Sequence, residues 1–269
     1  MVWKTPIYSN WTNYSIRKIS VKCYILEVFL LNLFPMSESR RPRHPAEGGY
    51  ARGEETRKKL IDAAISLFGQ YGFAGASTRD IAARAGVNAP ALQYYFQNKE
   101  GVYRACAEAL VDDALQVLEP ALVQAQETLK GDKPQSELVD AFIDLQCAIA
   151  DLMFRKGRET DRRLFFAREQ GGGEPEIGSQ VLRDRLRTPM NKVNAALIAR
   201  ITGREENDPL TIVRMISIWG QFFAFHVARE STLSMLGWDE IDGENAEFVK
   251  ATVSAQTRSL LHSWQVEAR

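Results

Sequence analysis

The chain has 269 residues, 45% of them apolar, with 34 basic against 34 acidic side chains. That length can bury one large core or a small one beside a larger one, and the balanced charge excludes a global basic field as the means of holding nucleic acid or membrane, though a small binding module fits inside a neutral total. Three cysteines, Cys23, Cys106 and Cys147, stand far apart with no C-x-x-C pair, which argues against a disulfide framework or zinc knuckle and for a reducing, cytoplasmic home.

The first 35 residues differ from the rest. They hold Trp3, Trp11 and the apolar stretch Val21–Phe34, interrupted by Lys22 and Glu27. A spanning helix needs about 20 apolar residues, so this run is too short and too charged, and it lacks a small-residue cleavage site. Met36 opens a polar tail, Ser-Glu-Ser-Arg-Arg-Pro-Arg-His-Pro. We expect Met36 to be the natural start and residues 1–35 to lie outside the native protein; an interfacial anchor is the alternative. Arg40, Arg41 and Arg43 sit on this tail, either as a basic arm toward DNA or as a plain charged segment.

From Glu54 onward the pattern is helical. Leu60, Ala64, Leu67, Phe68 and Tyr71 recur along one helix face, and Gly72 stops that helix. Ser77 with Asp80 is a capping-box start for a helix from Thr78 to about Ala85. Gly86 supplies the backbone freedom of a sharp turn. Asn88 caps a second short helix with Pro90 in its first turn, where a missing N–H costs little. Ile81 and Ala85 can then meet Val87, Leu92 and Phe96. Two short helices at a steep angle across such a turn form a helix-turn-helix, whose second helix enters the major groove.

Further on, Phe142, Leu145, Ile149, Leu152 and Met153 mark one helix. Val181, Leu182, Leu186, Val193, Leu197 and Ile201 mark a longer one, with a kink expected at Pro189. Leu210 to Val227 is apolar on nearly every side, which predicts burial all round. Phe248, Val249, Thr252, Leu260, Leu261 and Trp264 give a last amphipathic helix. Gly171–Gly173 and Gly203–Pro209 read as loops. With no useful period-2 stretch, the expected fold is all-α: a three-helix helix-turn-helix domain plus a larger helical domain for ligand binding and dimerisation. The expected boundaries are 1–50 for the extension, 51–100 for the DNA-binding domain and 101–269 for the rest.

The order Tyr71-Gly72-Phe73, Ser77-Thr78, Ala85-Gly86-Val87, Leu92-Gln93-Tyr94-Tyr95-Phe96, Asn98-Lys99-Glu100 resembles the TetR family of regulators. Phe165-Phe166-Ala167-Arg168-Glu169 and the helix around Trp219 more loosely resemble its CecR-like branch. The resemblance implies a homodimer paired through its last two long helices, an unknown small-molecule effector, and double-stranded operator DNA as partner. Chemistry and the family's binding mode together assign DNA contacts. Arg79 reaches a guanine edge or a phosphate, Gln93 carries the amide fork that pairs with adenine, and Ala91 suits a thymine methyl, with Ala89 and Pro90 beside it. Tyr94 and Tyr95 donate to phosphates or, for Tyr95, pack as a helix aromatic. Thr78 and Lys99, near helix N-termini, look like phosphate clamps. Gln93 departs from the family, where a tyrosine is more common.

An effector pocket is harder to place. Trp219, Phe222, Phe223 and His226 suggest an aromatic wall, which Met153, Phe165 and Phe166 can face; ordinary core packing is the competing explanation. Arg155, Arg158, Arg162, Arg163 and Arg168 make the segment after Met153 basic, favouring an anionic effector or simply a solvated face. The three histidines, His44, His226 and His262, form no metal cluster, and no cofactor is implied. No G-x-S-x-G, P-loop or dinucleotide fingerprint occurs, so neither an enzyme nor a membrane protein is expected.

Overall fold

Helix α1 spans Glu47–Gly75 and carries the first part of the core on Leu60, Ala64 and Phe68, each at most 1% exposed. The chain is described by a computed structural model covering residues 47–155 and 159–267. The start at Met36, the basic arm and Arg158 all lie outside the described residues. Helix α1 begins ahead of Glu54, so its first turn falls in the segment read as extension. Gly72 (φ 73°, ψ 174°) breaks it as expected. The break also corrects one assignment: Tyr71 does not share the buried face but is exposed. The kink swings Phe73 inward to stack on Phe68 at 5.8 Å, and Phe73 takes the core position instead.

Helices α2 (Thr78–Arg84) and α3 (Ala89–Phe96) follow, then α4 (Lys99–Lys130), about 48 Å long at 1.5 Å per residue. Helix α4 passes from the head into the body and packs along α5 (Gln135–Phe154). Helix α6 (Glu159–Gly171) returns to lie against α1. Helix α7 (Glu176–Leu182), a π turn over Arg183–Arg187 and α8 (Thr188–Thr202) form the long run that carries Pro189. The expected kink takes the form of this widened turn. Proline has no N–H to donate and crowds the carbonyl four residues back, so the turn before it opens.

The last helices are α9 (Pro209–Val227), α10 (Arg229–Leu236) and α11 (Gly243–Glu267). Helix α9 corrects a second expectation, because it is not buried all round. Its inner face holds Thr211, Arg214, Met215, Ile218 and Phe222, whereas Val213 and Ile216 are each 60% exposed and Phe223 and Val227 are exposed beside them. The described residues fold around one side of α9, and none of their helices covers the other. Among the described residues there is no strand.

Three apolar clusters hold the helices. The head cluster runs from Leu60 through Ile81, Leu92 and Phe96 to Tyr103 and Phe165. The body cluster joins α4, α5, the α7–α8 run, α9 and Leu261. A smaller one sets Phe154 and Phe222 against Ile241, Val249 and Val253. Each fully buried Leu or Phe contributes about 1.5–3 kcal/mol, so the head core is substantial for its size.

Candidate nucleic-acid interface

The turn between α2 and α3 is built from local bonds. Ser77 Oγ caps α2 by accepting the Asp80 N–H at 3.1 Å, and its hydroxyl donates to Asp80 Oδ2 at 2.6 Å. Asn88 Oδ1 accepts the Ala91 N–H at 3.0 Å. Gly86 takes φ 70°, and the Val87 N–H then reaches back to the Ala82 carbonyl at 3.0 Å. Ile81, Leu92 and Phe96 are buried beneath, which fixes the angle between the two helices.

That burial determines what α3 shows to solvent. Ala89, Pro90, Gln93 and Tyr94 are exposed at spacings of three and four, so they share one face; Tyr94 is 83% exposed. Ala91 is half-buried at its edge, and Thr78 and Arg79 flank it at the start of α2, half-buried and exposed respectively. Tyr95 is half-buried against the head cluster, its ring edge-on to Tyr94 at 5.2 Å and its hydroxyl beside Gly53 of α1.

Lys99 opens α4, where Asn98 Oδ1 caps the helix by accepting the Gly101 N–H at 2.7 Å. Its ammonium lies 4.4 Å from the centre of the Phe73 ring. This cation–π contact holds the charge at the positive end of a long helix, an arrangement suited to an anion. Arg57 lies likewise over Phe96 at 5.6 Å. Neither ring partner was legible in the sequence, because each pair joins separate helices. The Asn98 cap, which was not assigned from the sequence, carries a local signal in the residue's type and its place ahead of an apolar run.

The seven residues gathered as a pocket wall do not converge on one surface. Phe165 is stacked on Tyr103 at 4.9 Å in the head cluster. Phe222 lies edge-on to Phe154 at 5.9 Å in the small third cluster, and Phe223 points outward. Trp219, Phe166 and Met153 border the body cluster. Arg162 and Arg155 both pair with Asp113, Arg162 at 2.5 Å, and Arg168 turns to the head. Among the described residues no group of His, Cys, Asp and Glu is arranged to hold a metal.

Burial, then the Arg163 and Arg229 charges, push the His226 imidazole below its usual range, against a smaller opposing effect of the Met153 backbone. Folding thus favours neutral His226. Below about pH 6.5 the unfolded chain binds a proton that the folded one resists, so stability present above that pH is lost as pH falls toward the depressed folded value. His226→Gln is expected to flatten this acid limb in thermal melts below about pH 6.5; an unchanged limb would assign it to other groups.

A capped helix-turn-helix with an exposed polar and aromatic face, carried on a long helix into a helical body, defines a DNA-binding regulator. Residues 60–106 match the family described as "Bacterial regulatory proteins, tetR family", and residues 135–263 match the C-terminal domain of the HTH-type transcriptional dual regulator CecR. The chain belongs to the TetR family, with a CecR-type C-terminal domain, and is a transcriptional regulator rather than an enzyme.

It is 30% identical over 210 residues to CecR of Shigella flexneri, covering 78% of this chain and 93% of that protein. Over 90 residues it is 33% identical to the probable regulator YttP of Bacillus subtilis, covering 34% of this chain and 42% of YttP. In fold it is similar to a transcriptional regulator of Pseudomonas aeruginosa PAO1 (TM-score 0.56, 16% identity, 80% of this chain and 95% of that one). It is also similar to AibR, solved with isovaleryl coenzyme A and operator DNA (TM-score 0.54, 16% identity, 75% and 97%). Among the described residues α9 alone is long and apolar enough to cross a bilayer, and it lies inside the segment that matches the CecR domain.

Proposed function

We propose that the protein is a cytoplasmic, ligand-responsive homodimeric repressor that binds a palindromic operator and is released by a small effector. In this reading residues 51–100 form the DNA-reading head and residues 101–269 the effector-binding and dimerisation body. The observation that carries it is the pairing of the α3 face with a second, apolar face on α9. Val213, Ile216, Phe223 and Val227 lie along one exposed stripe, interrupted by Ser217, Gly220 and Ala224, and α11 exposes Phe248 and Leu260 as well. A Cβ on Gly220 would meet nothing within 4 Å. Small residues between large ones let two copies of α9 approach closely, and a twofold four-helix pairing of α9 and α11 would cover both stripes. The two α3 helices would then read half-sites roughly 34–36 Å apart.

Effector binding is supported by polar atoms buried in the body without a partner. They include both ends of the Gln146 amide, the Thr211 and Thr257 hydroxyls and the Trp219 indole nitrogen. Such groups cost about 1–3 kcal/mol each when left unsatisfied, and a bound molecule can supply their hydrogen bonds. Met153, Phe166, Trp219 and His226 remain the candidates for its apolar contacts. Release would be a population shift toward a head spacing that no longer fits the operator.

Within the head, Gln93, Arg79 and Ala91 are assigned to bases, and Thr78, Lys99 and Tyr94 to phosphates. Tyr95 supports the helix from behind, with Ala89 and Pro90 admitting the groove wall. Operators recovered from a random duplex library by the wild-type protein test this division. Gln93→Ala is expected to lose about 1–3 kcal/mol of discrimination at one base position. Lys99→Ala should weaken all duplexes alike and reduce the salt slope by about 1. A change of base preference in the lysine variant would refute the assignment.

A further inference from the structure

The C-terminal end of α1 is gripped by α6 and the turn after it. Arg168 Nε donates to the Gly69 carbonyl and Nη2 to the Gln70 carbonyl, each at 2.7 Å. These are carbonyls of the last turn before Gly72 breaks the helix, and such groups need an outside donor. Glu174 accepts the Phe73 N–H at 2.8 Å and lies 4.0 Å from Arg168. At Gly69 the two helices touch backbone to backbone, since a Cβ there would stand 2.7 Å from the Asp161 carbonyl oxygen. Next to Arg168, the Glu169 carboxylate is 5% exposed. It accepts from the Tyr103 hydroxyl of α4 at 2.5 Å and from Ser179 of α7 at 2.6 Å. Four helices are thereby tied within a few residues.

We propose that Arg168, Glu169 and Glu174 are positioning residues for operator binding, which fix the tilt of the head on the body and hence the spacing of the two recognition helices. The proposal rests on the homodimeric reading. The head is joined covalently to the body only where α3 runs into α4, and a single such junction leaves it free to pivot. A second grip at the far end of α1 removes that freedom. Apolar contacts such as Phe165 on Tyr103 allow sliding, whereas the bonds from Arg168 and to Glu174 are directional and charge-assisted. Helix α6 is also anchored near its start by Arg162 on Asp113. Any displacement of that anchor is therefore delivered to α1.

The test uses the full chain with three duplexes: the operator recovered by the wild type, a single half-site, and the operator lengthened by one base pair between half-sites. For Arg168→Ala the half-site affinity and its salt slope should stay at wild-type values. Affinity for the full operator should fall by about tenfold, in the range of ordinary coupling effects, and the penalty for the added base pair should shrink. Glu174→Gln keeps an acceptor for the Phe73 N–H and should lie between the two. Equal losses on half-site and full operator would overturn the proposal by showing that Arg168 merely stabilises the head. An unchanged spacing penalty would overturn it as well. A wild type that discriminates no spacing at all would instead remove the homodimeric reading beneath it.

Discussion

Ile216→Glu is expected to give a monomer whose affinity for the full operator is at least about a hundredfold lower, with half-site binding intact. Ile216 is 60% exposed in the chain and sits mid-stripe on α9, between Val213 and Phe223. In a twofold pairing both copies of the new carboxylate would enter an apolar interface with no cation opposite. Burying an unpaired charge costs several kcal/mol per ion, and symmetry counts it twice. Losing the second head removes the gain from linked binding, which commonly amounts to 10²–10⁴. Sedimentation gives the mass, and gel shifts on full and half-site duplexes give the affinities. Ile216→Leu serves as control and should remain dimeric. A dimeric glutamate variant with normal operator binding would place the interface elsewhere.

Gly178→Val is expected to lower stability substantially. A Cβ at this position would fall 2.6 Å from Tyr103 Cε1 and 2.7 Å from Glu169 Oε1. Neither neighbour can withdraw. The Tyr103 ring is packed by Phe165 at 4.9 Å, Phe68 at 4.9 Å and Phe73 at 5.3 Å, and Glu169 is held by two hydroxyls. Burial, reinforced by the Glu169 carboxylate, pushes the Tyr103 phenol well above its usual range, so it keeps its proton and goes on donating. Overpacking of about 1–3 kcal/mol, with strain on a buried carboxylate's hydrogen bonds, should lower the melting temperature by roughly 5–12 °C. Gly171→Ala, where a Cβ meets nothing within 4 Å, should melt within a degree or two of wild type. Equal melting of Gly178→Val and wild type would mean that α7 can shift away at no cost.

The two corrections to the expected core have one origin. Tyr71 follows the helical period of Leu60, Ala64 and Phe68 and so reads as buried, but the Gly72 kink brings Phe73 into that place. Helix α9 reads as buried on all sides because periodicity records how apolar each face is, not what covers it. In the single chain its outer stripe stays exposed, and the same apolar excess now marks a candidate interface. The seven residues of the pocket reading are dispersed for a related cause. Phe165, Phe222 and Phe223 are alike in composition, yet three different helical neighbours put one in the head, one in the small third cluster and one at the surface.

What the amino-acid order determined by itself is whatever rests on contacts within about four residues. The Ser77 and Asn88 caps, the Gly86 turn, the helical break at Gly72 and the family motifs are all of this kind, and they suffice to define the DNA-reading head. Tertiary structure alone decided which distant groups meet: Lys99 with Phe73, Arg168 with the open carbonyls of α1, and Glu169 with Tyr103 and Ser179. Those pairs are separated by ten to 99 residues, and nothing in local periodicity or capping chemistry selects one distant partner over another. Their selection comes from close packing, in which glycines at 69 and 178 let helices approach to within a side chain's width and the charged groups then settle on the partner that this approach brings nearest.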